Sequence, residues 1–261
     1  AESVVNDKLP SRARRYVAIV DPDSEHDFDT IESAVDYAIA QGGGDIFITR
    51  GYHYISNDLL LPHTLSLIGE GYSETQLLSF DGDPKYIDFY NDETASNGDL
   101  GIAEIRGIGV DMTDSTVSFG TVDTNISINI SECHNVFVFK EVTATETMTY
   151  EKCVFECYNT SWNPKALATG YNDTFRDCVF NANTNNSRGL ELVDGVSINN
   201  CRFLAKGFSN HYWIFGEPLR GTIYATTFEY LHRYGFFSDL AGAWNNAFSI
   251  IGTTFHYGAN T

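Results

Sequence analysis

The sequence predicts an all-β solenoid, a parallel β-helix closed at its N-terminal end by one α-helix. Three observations predict it. A short motif ending in phenylalanine recurs at the length of one coil. The composition, with 18 Phe, 15 Tyr and only 6 Pro in 261 residues, is that of β-structure with polar turns. One amphipathic helical segment stands ahead of the repeats.

The repeat decides the architecture. "MTYEKCVF" (148–155) and "DTFRDCVF" (173–180) are two copies of one statement. Phe155, Phe180, Phe203, Phe228 and Phe255 follow one another at intervals of 25, 23, 25 and 27 residues. Two positions before each stands a small residue: Cys153, Cys178, Cys201, Thr226 and Thr253. Five positions before each stands a large apolar one: Tyr150, Phe175, Ile198, Ile223 and Ile250. A leucine-rich frame is absent, and helical repeats need longer units with a 3.6-residue period. One coil of a parallel β-helix has the right length, and its turns stack ~4.8 Å apart. Each aligned column then becomes an inward ladder. Between the columns, Glu151-Lys152, Arg176-Asp177 and Asn199-Asn200 read as an exposed two-residue corner. Stacking sets Glu151 over Arg176 and Lys152 over Asp177, surface pairs worth at most ~1 kcal/mol.

The N-terminal elements follow in order. "YVAIV" (16–20) is a strand by β-branching and alternation. "DFDTIESAVDYAIAQGGG" (27–44) is a helix with Asp29 as N-cap and Glu32 completing a variant capping box. Its apolar face is Ile31, Ala34, Val35, Ala38 and Ile39, and Gly42–Gly44 end it. "DIFIT" (45–49) is a strand, "RGYHY" (50–54) a turn into another, and "LSLIG" (65–69) the next. Residues 81–100, polar and turn-rich, read as a loop outside the coil. "IAEIRGIGVDM" (102–112), "ISINI" (126–130) and "VFVF" (136–139) continue the coil. An open solenoid end needs a cap, which the helix supplies. The expected division is therefore 1–44 as strand and capping helix, and 45–261 as one continuous coil.

Charge and cysteines bound the chemistry. The net charge of −19 repels phosphate backbones, so nucleic acid is not expected as a partner. No apolar run reaches the ~18 residues of a membrane span. Five cysteines, Cys133, Cys153, Cys157, Cys178 and Cys201, make an odd number, which argues against a complete disulfide framework. No histidine cluster completes a zinc set around Cys153 and Cys157. The cysteines read as packing residues. No metal site or cofactor is expected. Calcium would suit the acidity, but no motif supports it. Asn125, Asn129, Asn159, Asn172 and Asn185 open Asn-x-Ser/Thr triplets, as expected in a chain this rich in those residues.

Residues 27–78, "DFDTIESAVDYAIAQGGGDIFITRGYHYISNDLLLPHTLSLIGEGYSETQLL", resemble the opening of the pectin-lyase-like superfamily. The shared frame is Asp-Phe-x-Thr-Ile, an Ala-rich helix, Gly-Gly, an Ile-x-Ile strand, a Gly-x-Tyr turn and Leu-x-Gly-x-Gly. The resemblance implies a right-handed parallel β-helix. It does not settle function, because this fold hosts lyases, hydrolases, esterases, phage tailspikes, virion appendages and adhesins. Pectin methylesterases of this type carry Gln-Asp-Thr and Asp-Phe-x-Phe-Gly. Here the first is absent, and "YWIFG" (212–216) has Trp213 where the second has its aspartate. A polygalacturonase-type Asn-Thr-Asp and Gly-His-Gly are also absent, and Arg176 and Arg188 lack the frame of a pectate-lyase base.

Candidate site residues lie between the later anchors. A glycoside hydrolase needs two carboxyls across a groove, roughly 5–9.5 Å apart. Glu191 or Asp194 with Glu217, and Glu229 with Asp239, are the candidate catalytic groupings. Tyr212, Trp213, Tyr230, His232, Arg233, Tyr234 and Trp244 are the candidate ligand-binding residues, since flat aromatic faces suit the apolar faces of sugar rings. An Arg/His/Tyr set could also abstract a proton alpha to a uronate carboxylate, as a lyase does.

Together with the resemblance, these residues predict an extracellular or virion-surface protein of the tailspike or appendage kind. It is expected to recognise cell-surface polysaccharide, as a homotrimer or part of a larger assembly. The alternatives are a polysaccharide lyase or glycoside hydrolase on the same fold, and a purely structural surface protein.

Overall fold

A computed structural model describes residues 16–23, 26–80, 83–91, 101–110, 117–121, 126–136, 138–139, 147–157, 172–182, 188–192, 195–205, 212–216, 220–229, 234–237 and 247–256. It is nearly all β, a right-handed parallel β-helix with one helix among the described residues. The chain forms two compact units. The first is Ala1–Ile126 with Glu132–Val136, and the second is Ser127–Ser131 with Phe137–Thr261.

In the first unit each turn contributes three short strands. Gly44–Ile48, Gly51–Ile55 and Leu59–Pro62 form one turn. Leu65–Gly69, Thr75–Ser79 and Lys85–Tyr90 form the next, followed by Gly101–Arg106, Gly109–Val110 and Val117–Thr121. Like positions stack in parallel register: Ile46 on Leu67 on Ile105, His53 on Leu77 on Val110, and Leu61 on Phe89. Lys85–Tyr90 corrects the expectation of a loop over 81–100. Its alternation is short but sufficient, because Ile87 and Phe89 are fully buried while Tyr86 points to solvent.

The helix runs Ile31–Ala40, and Ile31, Ala34, Val35 and Ala38 are buried beside the first strands. Three sequence-based details change. Thr30, not Asp29, is the N-cap, with its hydroxyl accepting from the Ser33 amide. Glu32 reaches away from the helix end, and its Oε1 accepts from the amides of Ser56 (2.7 Å) and Asn57 (3.4 Å). Ile39, expected on the apolar face, is 40% exposed.

In the second unit the predicted columns are ladders. Tyr150, Phe175, Ile198, Ile223 and Ile250 stand in register on one sheet, and Phe155, Phe180, Phe203, Phe228 and Phe255 on the next. The phenylalanine rings stack nearly parallel, at centroid separations of 5.0, 4.4, 4.6 and 5.2 Å. Offset stacking adds to burial. The corner between the two sheets is a single left-handed residue on every turn. Lys152, Asp177, Asn200, Ala225 and Gly252 have φ of 54°, 56°, 52°, 48° and 61°. Left-handed backbone is costly for residues with a Cβ, so something must hold it. The ladder does so: the amides of Lys152, Asp177, Asn200 and Ala225 each donate to a carbonyl of the next turn at 2.9–3.0 Å. The residue before each corner is the last of its strand, and Glu151 stands over Arg176 as expected. The carboxylate of Asp177 accepts from Asn200 Nδ2 at 2.5 Å, one turn further on.

The small column explains why cysteine and threonine interchange. The Cys178 thiol donates to the Arg176 carbonyl (3.3 Å) and to the Tyr150 carbonyl of the preceding turn (3.5 Å). Cys153 and Cys201 repeat the local contact, and Thr226 makes it with its hydroxyl to Tyr224 at 3.0 Å. The column therefore wants a small side chain with one hydrogen to donate to a carbonyl at the corner. Cys133, Cys153, Cys178 and Cys201 are all buried. The contact with Cys178, then burial, push the Cys201 thiol up, while the contacts with Cys153 and then Cys201 hold the Cys178 thiol down. Cys178→Thr should therefore leave thermal stability within ~1 kcal/mol of the parent, whereas Cys178→Leu overpacks the corner and should cost ~1–3 kcal/mol. Equal losses in the two variants, read by thermal unfolding, would reject this account.

Candidate functional site

The structure places a group of exposed side chains on the first unit that sequence reasoning passed over. Gly51–Ile55 alternates in the manner of a strand with one buried face: His53 and Ile55 point inward, Tyr52 and Tyr54 outward. Tyr52 is 62% and Tyr54 53% exposed, unusual for two large rings on one rigid strand. On the next turn Gln76 stands over Tyr52 and Leu78 over Tyr54. Phe80, 49% exposed, meets Tyr54 edge-on at a centroid distance of 6.3 Å. Gln76 Nε2 donates to the Tyr72 carbonyl, and the Tyr72 ring lies against His134 at 5.7 Å.

The inward side of this strand is polar at one point. His53 is buried and its Nε2 pairs with the Thr49 carbonyl at 2.9 Å. Burial holds its pKa below the usual histidine range, against smaller upward effects from that hydrogen bond and from Asp21. Thr75, also buried, donates its hydroxyl to the carbonyls of Ile48 and Thr49. These contacts fix the strand that carries Tyr52 and Tyr54.

Around the corner stand two carboxylates. Asp58 accepts the Tyr86 amide at 2.9 Å, which ties the corner of one turn to the strand of the next. Asp88 lies two residues along that strand, in register with Leu60 below and Gly120 above. Burial, then the charge of Asp58, hold the Asp88 carboxyl above its usual range. Leu60 (53% exposed) and Tyr86 (49%) flank it. Rings and an amide on one sheet can stack on a sugar ring and hydrogen-bond its hydroxyls, and the neighbouring sheet and corner offer the two carboxylates. Among the described residues, no group of three or more His, Cys, Asp or Glu is placed to hold a metal ion.

The residues singled out by sequence fall in the second unit, and the backbone is described for some of them. Glu191 lies on Arg188–Leu192 and is in register with Phe215. Tyr212 and Trp213 lie on Tyr212–Gly216, and Tyr212 is in register with Tyr234, the first residue of Tyr234–Phe237. Glu229 is engaged by Arg202 at 2.7 Å. Asp194, Glu217, Tyr230, His232, Arg233, Asp239 and Trp244 lie outside the described residues. The signal that could have found the other group was the Tyr-x-Tyr of "GYHYI", a period-two pair of aromatics at the start of the coil.

The sequence matches no protein-family model and no curated protein. Solved structures do match the fold. Escherichia coli YbhC superposes with a TM-score of 0.63 at 13% identity, covering 95% of this chain and 86% of that one. Pectin methylesterase PemA from Erwinia chrysanthemi gives 0.57 at 11% identity, covering 94% and 91%. The pectin methylesterase from Aspergillus niger gives 0.55 at 14% identity, covering 95% and 86%. At such identities the likeness is one of architecture: the chain shares the parallel β-helix fold of these proteins.

Proposed function

We propose that this is a carbohydrate-recognising β-helix protein of a cell or virion surface, of the tailspike or appendage kind. The observation that carries the reading is the exposed strip of Tyr52 and Tyr54 on Gly51–Ile55 and Phe80 just past its paired strand Thr75–Ser79, which carries Gln76 in register with Tyr52. Such rings would be a liability on an inert surface, and a rigid platform loses little entropy on binding. The fold likeness to pectin methylesterases supports a polysaccharide partner. A homotrimeric or larger assembly belongs to the reading as an expectation from the sequence.

A panel of immobilised bacterial surface glycans tests this. The protein should be retained by at least one, and Tyr54→Ala should weaken retention at least about tenfold, as truncation of a binding aromatic does. No retention by any glycan, or retention indifferent to Tyr54→Ala, overturns the reading. The carboxylates favour one second reading, glycan cleavage, in which Asp88 serves as acid and Asp58 as its charged partner. New reducing or unsaturated ends in the same panel, lost in Asp88→Asn, would establish it.

A further inference from the structure

The residues around the aromatic strip restrict the ligand. Asp58, Glu74 and Asp83 lie within four residues of Tyr54, Gln76 and Phe80 in the sequence and are exposed, and the half-buried Asp88 stands on the neighbouring sheet. Two cations belong to the same stretch of chain. Arg50 is paired with Glu70 at 3.3 Å, and Lys85, partly buried, lies two residues after Asp83. Gln76 gives one Nε2 hydrogen to the Tyr72 carbonyl and keeps its oxygen and a second N–H, and the tyrosine hydroxyls can donate or accept. The charged groups on this stretch of chain that are not held in an ion pair are mostly carboxylates. A ligand that complements them brings hydrogen-bond donors and no anion.

We infer that the Tyr52–Tyr54–Phe80 strip takes an uncharged polysaccharide, its rings stacked on the aromatics and its hydroxyls donated to Gln76 and the flanking carboxylates, and that it excludes polyuronates. The inference rests on the carbohydrate reading above. It departs from what the fold likeness alone would suggest, because a uronate chain repeats a carboxylate on every ring. Anionic sugars are held by arginine and lysine, and the whole molecule, at −19, opposes their approach.

Affinity electrophoresis separates the possibilities. The probes are neutral polymers (an α-glucan, a β-glucan, a xylan, a galactomannan and a mannan) and two polyuronates (polygalacturonate and alginate), with and without calcium. Retardation by a neutral polymer is expected, unchanged at high salt and weakened at least about tenfold by Tyr52→Ala or Tyr54→Ala. Retardation by a polyuronate, with or without calcium, overturns the inference and leaves the carbohydrate reading intact. Retardation by nothing overturns both. Sedimentation of the parent and of Tyr54→Ala covers the remaining occupant: a parent oligomer that dissociates on that change would make the strip a contact between copies and overturn the inference.

Discussion

Phe203→Ala should destabilise the second unit by about 4 kcal/mol, in the middle of the ~3–5 kcal/mol range for truncating a buried phenylalanine. Its side chain is fully buried, with Phe180 stacked on one side at 4.4 Å and 6° and Phe228 on the other at 4.6 Å and 13°. The size of the loss depends on whether neighbours can collapse into the space. Here they cannot, because backbone hydrogen bonds fix the spacing of the turns. Arg202 N donates to the Cys178 carbonyl and Thr227 N to the Cys201 carbonyl, both at 2.9 Å. The ladder would keep a gap one ring thick. In a solenoid each turn contacts only its neighbours, so the gap also weakens the coupling of the turns on either side. Denaturant unfolding should show a lower midpoint and a broadened or two-step transition. Phe203→Leu, which refills most of the volume, should lose less than half as much. A loss below ~1 kcal/mol for the alanine variant would mean that the ladder relaxes, against this account.

The same stacking explains what could be read from the chain and what could not. A β-helix sets equivalent positions above one another, so its structural rule is written along the sequence as columns. Cys153, Cys178, Cys201, Thr226 and Thr253 identify an inward corner position without any knowledge of distances. The chemistry at that corner was not visible. A donor returning to the carbonyl two residues back follows from left-handed backbone at Lys152, Asp177, Asn200 and Ala225, and none of these residue types demands that conformation. At the helix start, Asp29 and Thr30 are both good caps in adjacent positions, and local preference does not choose between them. Lys85–Tyr90 was hidden because Asp, Gly, Pro and Asn crowd both its ends, and only Ile87 and Phe89 report its buried face. The surface group was harder still. Asp58 and Asp88 are thirty residues apart in the sequence, and they become neighbours only through the exact length of one turn. The outward direction of Tyr52 and Tyr54 is set by the burial of His53, a residue that pattern reading assigns to the surface.

Gly69→Ala should be the most damaging single methyl in the first unit, with an expected loss of about 3 kcal/mol or more. Gly69 closes the strand Leu65–Gly69, and a Cβ there would fall on the Gly107 carbonyl oxygen, far inside van der Waals contact, and 3.0 Å from Thr75 Cβ. The approach is mutual, since a Cβ on Gly107 would meet the Gly69 carbonyl oxygen at 2.7 Å. The obstructing atoms are backbone, so no rotamer change relieves the clash. The two turns would have to separate, against the pairing of Leu67 with Ile105 and Ile68 with Arg106. Alanine restricts the unfolded chain and gains ~0.4–1 kcal/mol from that, too little to offset the clash. Gly71 provides the control two residues away. Its Cβ would meet nothing closer than Glu74 Cγ at 3.9 Å, so Gly71→Ala should be neutral or slightly stabilising. Thermal unfolding of the two variants side by side separates a steric requirement from a general preference for glycine in this turn. If both lose stability equally, the close approach of Gly69 and Gly107 is not what holds the turns at their spacing.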